Sequence, residues 1–116
     1  MPAALPPSTT LGRRLREARL AKGLTQAELG AVLGLEEENT AAPRISRYER
    51  GDRMPDNESM AKLAEALGPP VAYFHAVSEP VAEAILVMSQ LPEGAQEELV
   101  RQMRDFARNN LRGRGG

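Results

Sequence analysis

Four glycines, at positions 23, 34, 51 and 68, each close a short stretch whose apolar residues recur at helical spacing. Punctuation this frequent predicts a run of short helices joined by tight turns, because glycine just past a helix end accepts the left-handed backbone that other residues avoid. The first stretch places Leu11, Leu15 and Ala18 on one stripe, with Thr10 as its N-cap and Gly23 beyond its end. The second opens on Thr25-Gln26-Ala27-Glu28, a capping box in which threonine and glutamate side chains satisfy free amides reciprocally. Leu29, Val32 and Leu33 form its apolar face. A polar connection over 35–40 leads to a third helix capped by Asn39 or Thr40, with Pro43 in its first turn and Ile45 and Tyr48 inward. Asp56 caps a fourth, which turns Met60, Leu63, Ala64 and Leu67 inward, and Pro69-Pro70 opens a short fifth carrying Val71, Tyr73 and Phe74.

The remainder reads as a helical hairpin. Val81, Ile85, Met88 and Leu91 share one face, Pro92 and Gly94 interrupt it, and Leu99, Met103, Phe106 and Ala107 resume it. The expected organisation is a loose tail over 1–9, a five-helix domain over 10–76, a hairpin over 77–112 and a frayed tail over 113–116. Aromatic residues make up 3% of the chain, too few for the core of a β-sandwich, and no segment reads as a strand. The fold class is all-α.

Composition narrows the function. The chain has no cysteine and one histidine, so it lacks a thiolate nucleophile, a cysteine zinc site and the means for a His-rich metal site. No phosphate loop or nucleophile–base arrangement is visible, and we expect neither an enzyme nor a bound cofactor or metal. Net charge is −1, which gives the whole chain no electrostatic attraction to nucleic acid. The charge is uneven, though. Residues 1–54 hold nine Lys/Arg against seven Asp/Glu, and residues 55–116 hold six against nine. No apolar run approaches the ~20 residues of a membrane span, and MPAALPPSTT lacks the basic flank of a secretory signal. A soluble, cytoplasmic protein is expected.

A capped helix, a glycine stop, a polar turn and an arginine-bearing helix follow one another in the order that a helix-turn-helix requires. In such a unit the first helix braces against the DNA backbone and the second enters the major groove. Gly30 supplies the small residue that close packing of the two helices needs. The blocks KGLTQAELG, ISRYERG and LAEALGPPVAYF resemble the phage-repressor (XRE-type) helix-turn-helix family, in the family's order, over Leu11 to Phe74. The resemblance implies a five-helix domain in which Gln26 contacts a phosphate and braces the recognition helix. It also implies that Arg19 pairs with Glu49, tying the first helix to the third. The sequence departs from the family pattern in a turn about five residues longer, which places Glu36, Glu37 and Glu38 near the phosphates. These are either solvated loop residues or a negative charge that weakens nonspecific binding.

Positions that often carry Gln or Ser for base reading hold Ala42 and Pro43, neither of which hydrogen-bonds a base edge, although Ala42 suits a thymine methyl. Direct readout then falls to Arg44 and Arg47, with Thr40 and Ser46 as minor candidates. Arginine bonds guanine O6 and N7 bidentately, so a G-containing half-site is expected. Arg13, Arg14, Thr25, Gln26, Arg50 and Arg53 are the candidate phosphate contacts, together with the amide end of the second helix. The hairpin residues Val81, Ile85, Met88, Leu99, Met103 and Phe106 are the candidate homodimer interface, since a monomer reads only a short site. The leading reading is a repressor that binds double-stranded DNA as a homodimer on an inverted repeat. The alternative is an antitoxin-like module whose hairpin engages a small partner protein.

Overall fold

The structure, a computed structural model, describes the backbone of residues 9–34 and 38–115 and the side chains of 9–34 and 40–111. Its helices are α1 (Thr10–Ala21), α2 (Gln26–Ala31), α3 (Glu38–Arg50), α4 (Asn57–Leu67), α5 (Val71–His75), α6 (Glu79–Ser89) and α7 (Glu93–Gly115). There is no strand among the described residues, and no helix there is long and apolar enough to cross a membrane. The chain divides into two compact units, Met1–Leu86 and Val87–Gly116, and the division falls inside α6.

The caps explain where the helices begin. Thr9 rather than Thr10 opens α1: its backbone is extended, and its hydroxyl accepts from the Gly12 amide at 3.0 Å. At α2 the capping box is complete, with Glu28 N–H donating to Thr25 Oγ1 at 3.0 Å and Thr25 N–H to Glu28 Oε1 at 2.8 Å. Asp56 accepts from the Ser59 amide at 2.7 Å to open α4. The glycines at 23, 34, 51 and 68 all have positive φ, and no described non-glycine residue does.

The third helix differs from expectation. It starts at Glu38, so neither Asn39 nor Thr40 is its cap and both lie inside it. Pro43 is consequently its sixth residue, beyond the first turn, where it removes the amide that would meet the Asn39 carbonyl.

Helices α1 to α5 share one core built of Leu11, Leu15, Leu29, Ile45, Tyr48, Met60, Leu63, Ala64, Leu67 and Phe74. Within it α2 packs on α3, α1 on α3 and α5, and α4 on α5. Each buried leucine or phenylalanine contributes on the order of 1.5–3 kcal/mol. The start of α6 belongs to the same unit, with Ala82 buried at 2% while Val81 is 43% exposed. Val81 thus departs from the expected stripe, of which Ile85, Met88 and Leu91 are half-buried.

In the second unit Gln96 Nε2 donates to the Met88 carbonyl at 2.7 Å, closing the turn into α7. That helix runs to Gly115, past the point where fraying was expected. From Arg101 to Leu111 every residue is exposed. Arg101–Glu98 and Arg108–Asp105 are ion pairs within the helix.

Candidate nucleic-acid interface

The inner face of α3 is fixed by close contacts and by charge. A Cβ placed on Gly30 of α2 would lie 2.6 Å from Ala41 Cβ and 2.7 Å from the Ala41 carbonyl oxygen, so only glycine lets α2 approach α3 this closely. The far end of α3 is held in the same way, because a Cβ on Gly12 would lie 2.3 Å from the Glu49 carbonyl oxygen. Between these points Arg19 grips Glu49 with two bonds, Nε to Oε2 at 2.6 Å and a terminal nitrogen to Oε1 at 3.1 Å. Both side chains are buried. Arg19 also donates to the Leu24 carbonyl at 2.9 Å, and Gln26 Nε2 donates to Glu49 Oε1 at 3.2 Å. The pair is thus satisfied from three sides, the condition under which buried charge is tolerated.

With Ala41, Ile45, Tyr48 and Glu49 turned inward, a turn of about 100° per residue decides what faces out. Thr40, Pro43, Arg47 and Arg50 form one exposed stripe. Arg44 is half-buried at one margin of that stripe, and Ser46 and Ala42 are half-buried off the other. Arg50 pairs with Asp52 at 3.3 Å, and the turn after α3 is closed by the Asp52 amide on the Arg47 carbonyl at 2.9 Å. Arg53 and Arg44 both act on Asp56, whose carboxyl lies below its ordinary range. The Ser59 amide is the main cause of that shift, and the two cations add to it. Of the four candidate base readers, Arg47 is the cation set most squarely on the exposed stripe.

The candidate phosphate contacts fare unequally. Arg14 is excluded. It is 1% exposed, and its guanidinium donates to the carbonyls of Tyr73 at 3.1 Å, Ala76 at 2.5 Å and Ser78 at 3.3 Å. It also lies over the Tyr73 ring at 5.6 Å and meets Glu79 at 3.3 Å. This buried arginine gathers the end of α5 and the start of α6 onto α1. Arg13 is half-exposed but bonds Glu17 and Glu79. Glu79 is in turn held below the ordinary carboxylate range by hydrogen bonds from Arg13 and then Arg14. Thr25 Oγ1 and the Glu28 carboxylate already occupy part of the amide end of α2, and Gln26 is half-buried against Glu49. Arg50, on the stripe, and Arg53, just past the end of α3, are exposed. Glu36 and Glu37 lie outside the described residues, as do residues 1–8 and the side chain of Glu38.

A recognition helix pinned on its inner face and cationic on its outer one, preceded by a short capped helix, is the geometry of a helix-turn-helix. The profile of the helix-turn-helix family HTH_3 matches residues 15–74, just over half the chain. This chain belongs to the helix-turn-helix family. The crystal structure of the transcriptional regulator BswR is similar to this helix-turn-helix protein at a TM-score of 0.71 and 34% identity. The match covers 81% of this chain and 92% of that one. No curated protein matches it.

Sequence reasoning missed Gly12 and the role of Arg14. For Arg14 a signal exists: it follows Leu11 by three residues and precedes Ala18 by four, on the inward stripe of α1.

Proposed function

We propose that this helix-turn-helix protein is a DNA-binding transcription regulator that inserts α3 into the major groove. The observation that carries this reading is the outward stripe of α3, where Arg47 and Arg50 stand exposed over an inner face fixed by Ala41, Ile45, Tyr48 and Glu49. Arg47 reads a guanine, with Arg44 and Thr40 beside it, while Arg50 and Arg53 meet flanking phosphates. The similarity to a transcriptional regulator supports the same reading.

Its finer form is a repressor that occludes its promoter, bound as a homodimer to an inverted repeat with half-sites about 34–36 Å apart. Support for the dimer comes from α7. There Met103, Phe106 and Leu111 are exposed on a helix whose other outer residues from 101 to 111 are charged or polar apart from Ala107, and apolar surface of that kind marks a contact site. The half-buried Leu99 continues that face on α7, the half-buried Met88 lies on the neighbouring α6, and Ile85 and Val81 stand on the first unit's part of α6.

The test is selection of bound duplexes from a randomised pool at low and moderate salt. Enrichment of a G-containing palindrome supports the full reading, and a single unpaired half-site supports DNA binding without the dimer. No enrichment at low salt contradicts both.

A further inference from the structure

The residue on the exposed stripe of α3 with no hydrogen-bonding side chain is Pro43. It is the sixth residue of its helix, where its missing amide and its ring destabilise the helix. It gains nothing from burial, because it is exposed. It lies between Thr40 and Arg47 on the outward face, three residues after one and four before the other, so the three stack along the helix. Ala42, the neighbour assigned an apolar contact on sequence grounds, is turned off that stripe and half-buried. A residue that breaks a local rule at an exposed position, flanked by groups suited to a base edge, marks a functional contact rather than a packing one.

The chemistry of the groove then identifies the ligand. All four bases present hydrogen-bonding groups on their major-groove edges, and thymine alone adds an apolar C5-methyl. The pyrrolidine ring offers CH2 groups and neither donor nor acceptor, so the methyl is the groove feature it complements. We propose that Pro43 is a specificity-determining residue that reads a thymine methyl next to the guanine read by Arg47. This deepens the DNA-binding reading and rests on it.

The experiment uses the full-length protein and the duplex enriched from the randomised pool, with each thymine replaced singly by deoxyuridine. That change deletes the methyl and leaves every hydrogen-bonding group in place. We expect one thymine per half-site, within two base pairs of the Arg47-dependent guanine, to lose about fourfold in affinity on replacement, the effect of one methyl's burial. In Pro43→Gly, which removes the ring and leaves no side-chain carbon to replace it, thymine and deoxyuridine should bind equally at that position. The Arg47-dependent guanine should stay preferred. An enriched site in which no thymine is sensitive, or a Pro43→Gly protein that keeps the fourfold difference, overturns this inference alone. Failure to enrich any duplex overturns the DNA-binding reading and this inference with it.

Discussion

The two compact units of this chain are stabilised by opposite means. The first closes a core over five helices and buries three charged side chains, Arg14, Arg19 and Glu49, each bonded to carbonyls or to an opposite charge. The second has a 23-residue helix on which everything from Arg101 to Leu111 is exposed, Phe106 at 71%. In the first unit the buried Arg19–Glu49 pair fixes the inner face of α3. The second leaves Met103, Phe106 and Leu111 exposed, the apolar surface to which the proposed function assigns the dimer contact.

Removing one partner of the buried pair should break the first unit most severely. Glu49→Ala leaves Arg19 without its opposite charge, and we expect a loss of about 3–5 kcal/mol in urea unfolding. A loss under 1 kcal/mol would mean that water or Gln26 replaces the carboxylate.

Truncation sharpens the boundary. A chain ending at Leu86 keeps every partner of Arg14, whereas one ending at Ala76 loses the Ser78 carbonyl and Glu79. The shorter chain should therefore be less stable than the longer by about 1.5–3 kcal/mol, the worth of hydrogen bonds to a charged group. Equal melting curves would show that the first unit ends before α6.

Phe106→Asp probes the second unit from the other side. It should abolish self-association in sedimentation while changing the unfolding of the first unit by less than about 0.5 kcal/mol, as surface substitutions do. A dimer that survives it places the interface elsewhere.

The smallest effect is on acid stability. Glu28, Asp56 and Glu79 in the first unit and Glu98 in the second are held below the ordinary carboxylate range. Hydrogen bonds from Thr25, Ser59, Arg13 and Arg101, respectively, are the leading causes. A carboxyl lowered by folding stabilises above its unfolded pKa, and that contribution disappears as protons bind. Stability should be flat from neutral pH down to about 5 and fall progressively below about 4. Thermal melts across that range check it, and Asp56→Asn should shallow the fall.

The glycine stops, the capping box at Thr25 and the inward stripes of α1 and α4 were legible because each is a local rule obeyed locally, whereas on the expected face of the second helix only Leu29 is buried, Val32 being exposed past the end of α2. The start of α3 was not legible. Proline is best tolerated in a first turn, which pulled the expected start toward Thr40, and nothing local announces a helix that carries Pro43 in its second turn. Arginines on helices are usually solvated, which hides the role of Arg14 despite its place on the inward stripe of α1; the carbonyls supplied by residues 73–78 make its burial possible. On α6 the buried residue is Ala82 rather than the larger Val81, which a hydrophobicity pattern ranks the other way.

The central claim, that the outward face of α3 reads DNA, is tested most directly by fluorescence anisotropy of the enriched duplex and a scrambled one, for the parent protein and Arg47→Ala across salt. The account predicts that Arg47→Ala costs about 1–3 kcal/mol on the enriched duplex and relaxes its preference at the guanine. It also predicts that the parent's affinity falls with salt at a slope near −0.9 per phosphate neutralised. An Arg47→Ala protein with unchanged preference, or a parent that does not distinguish the two duplexes, would contradict it.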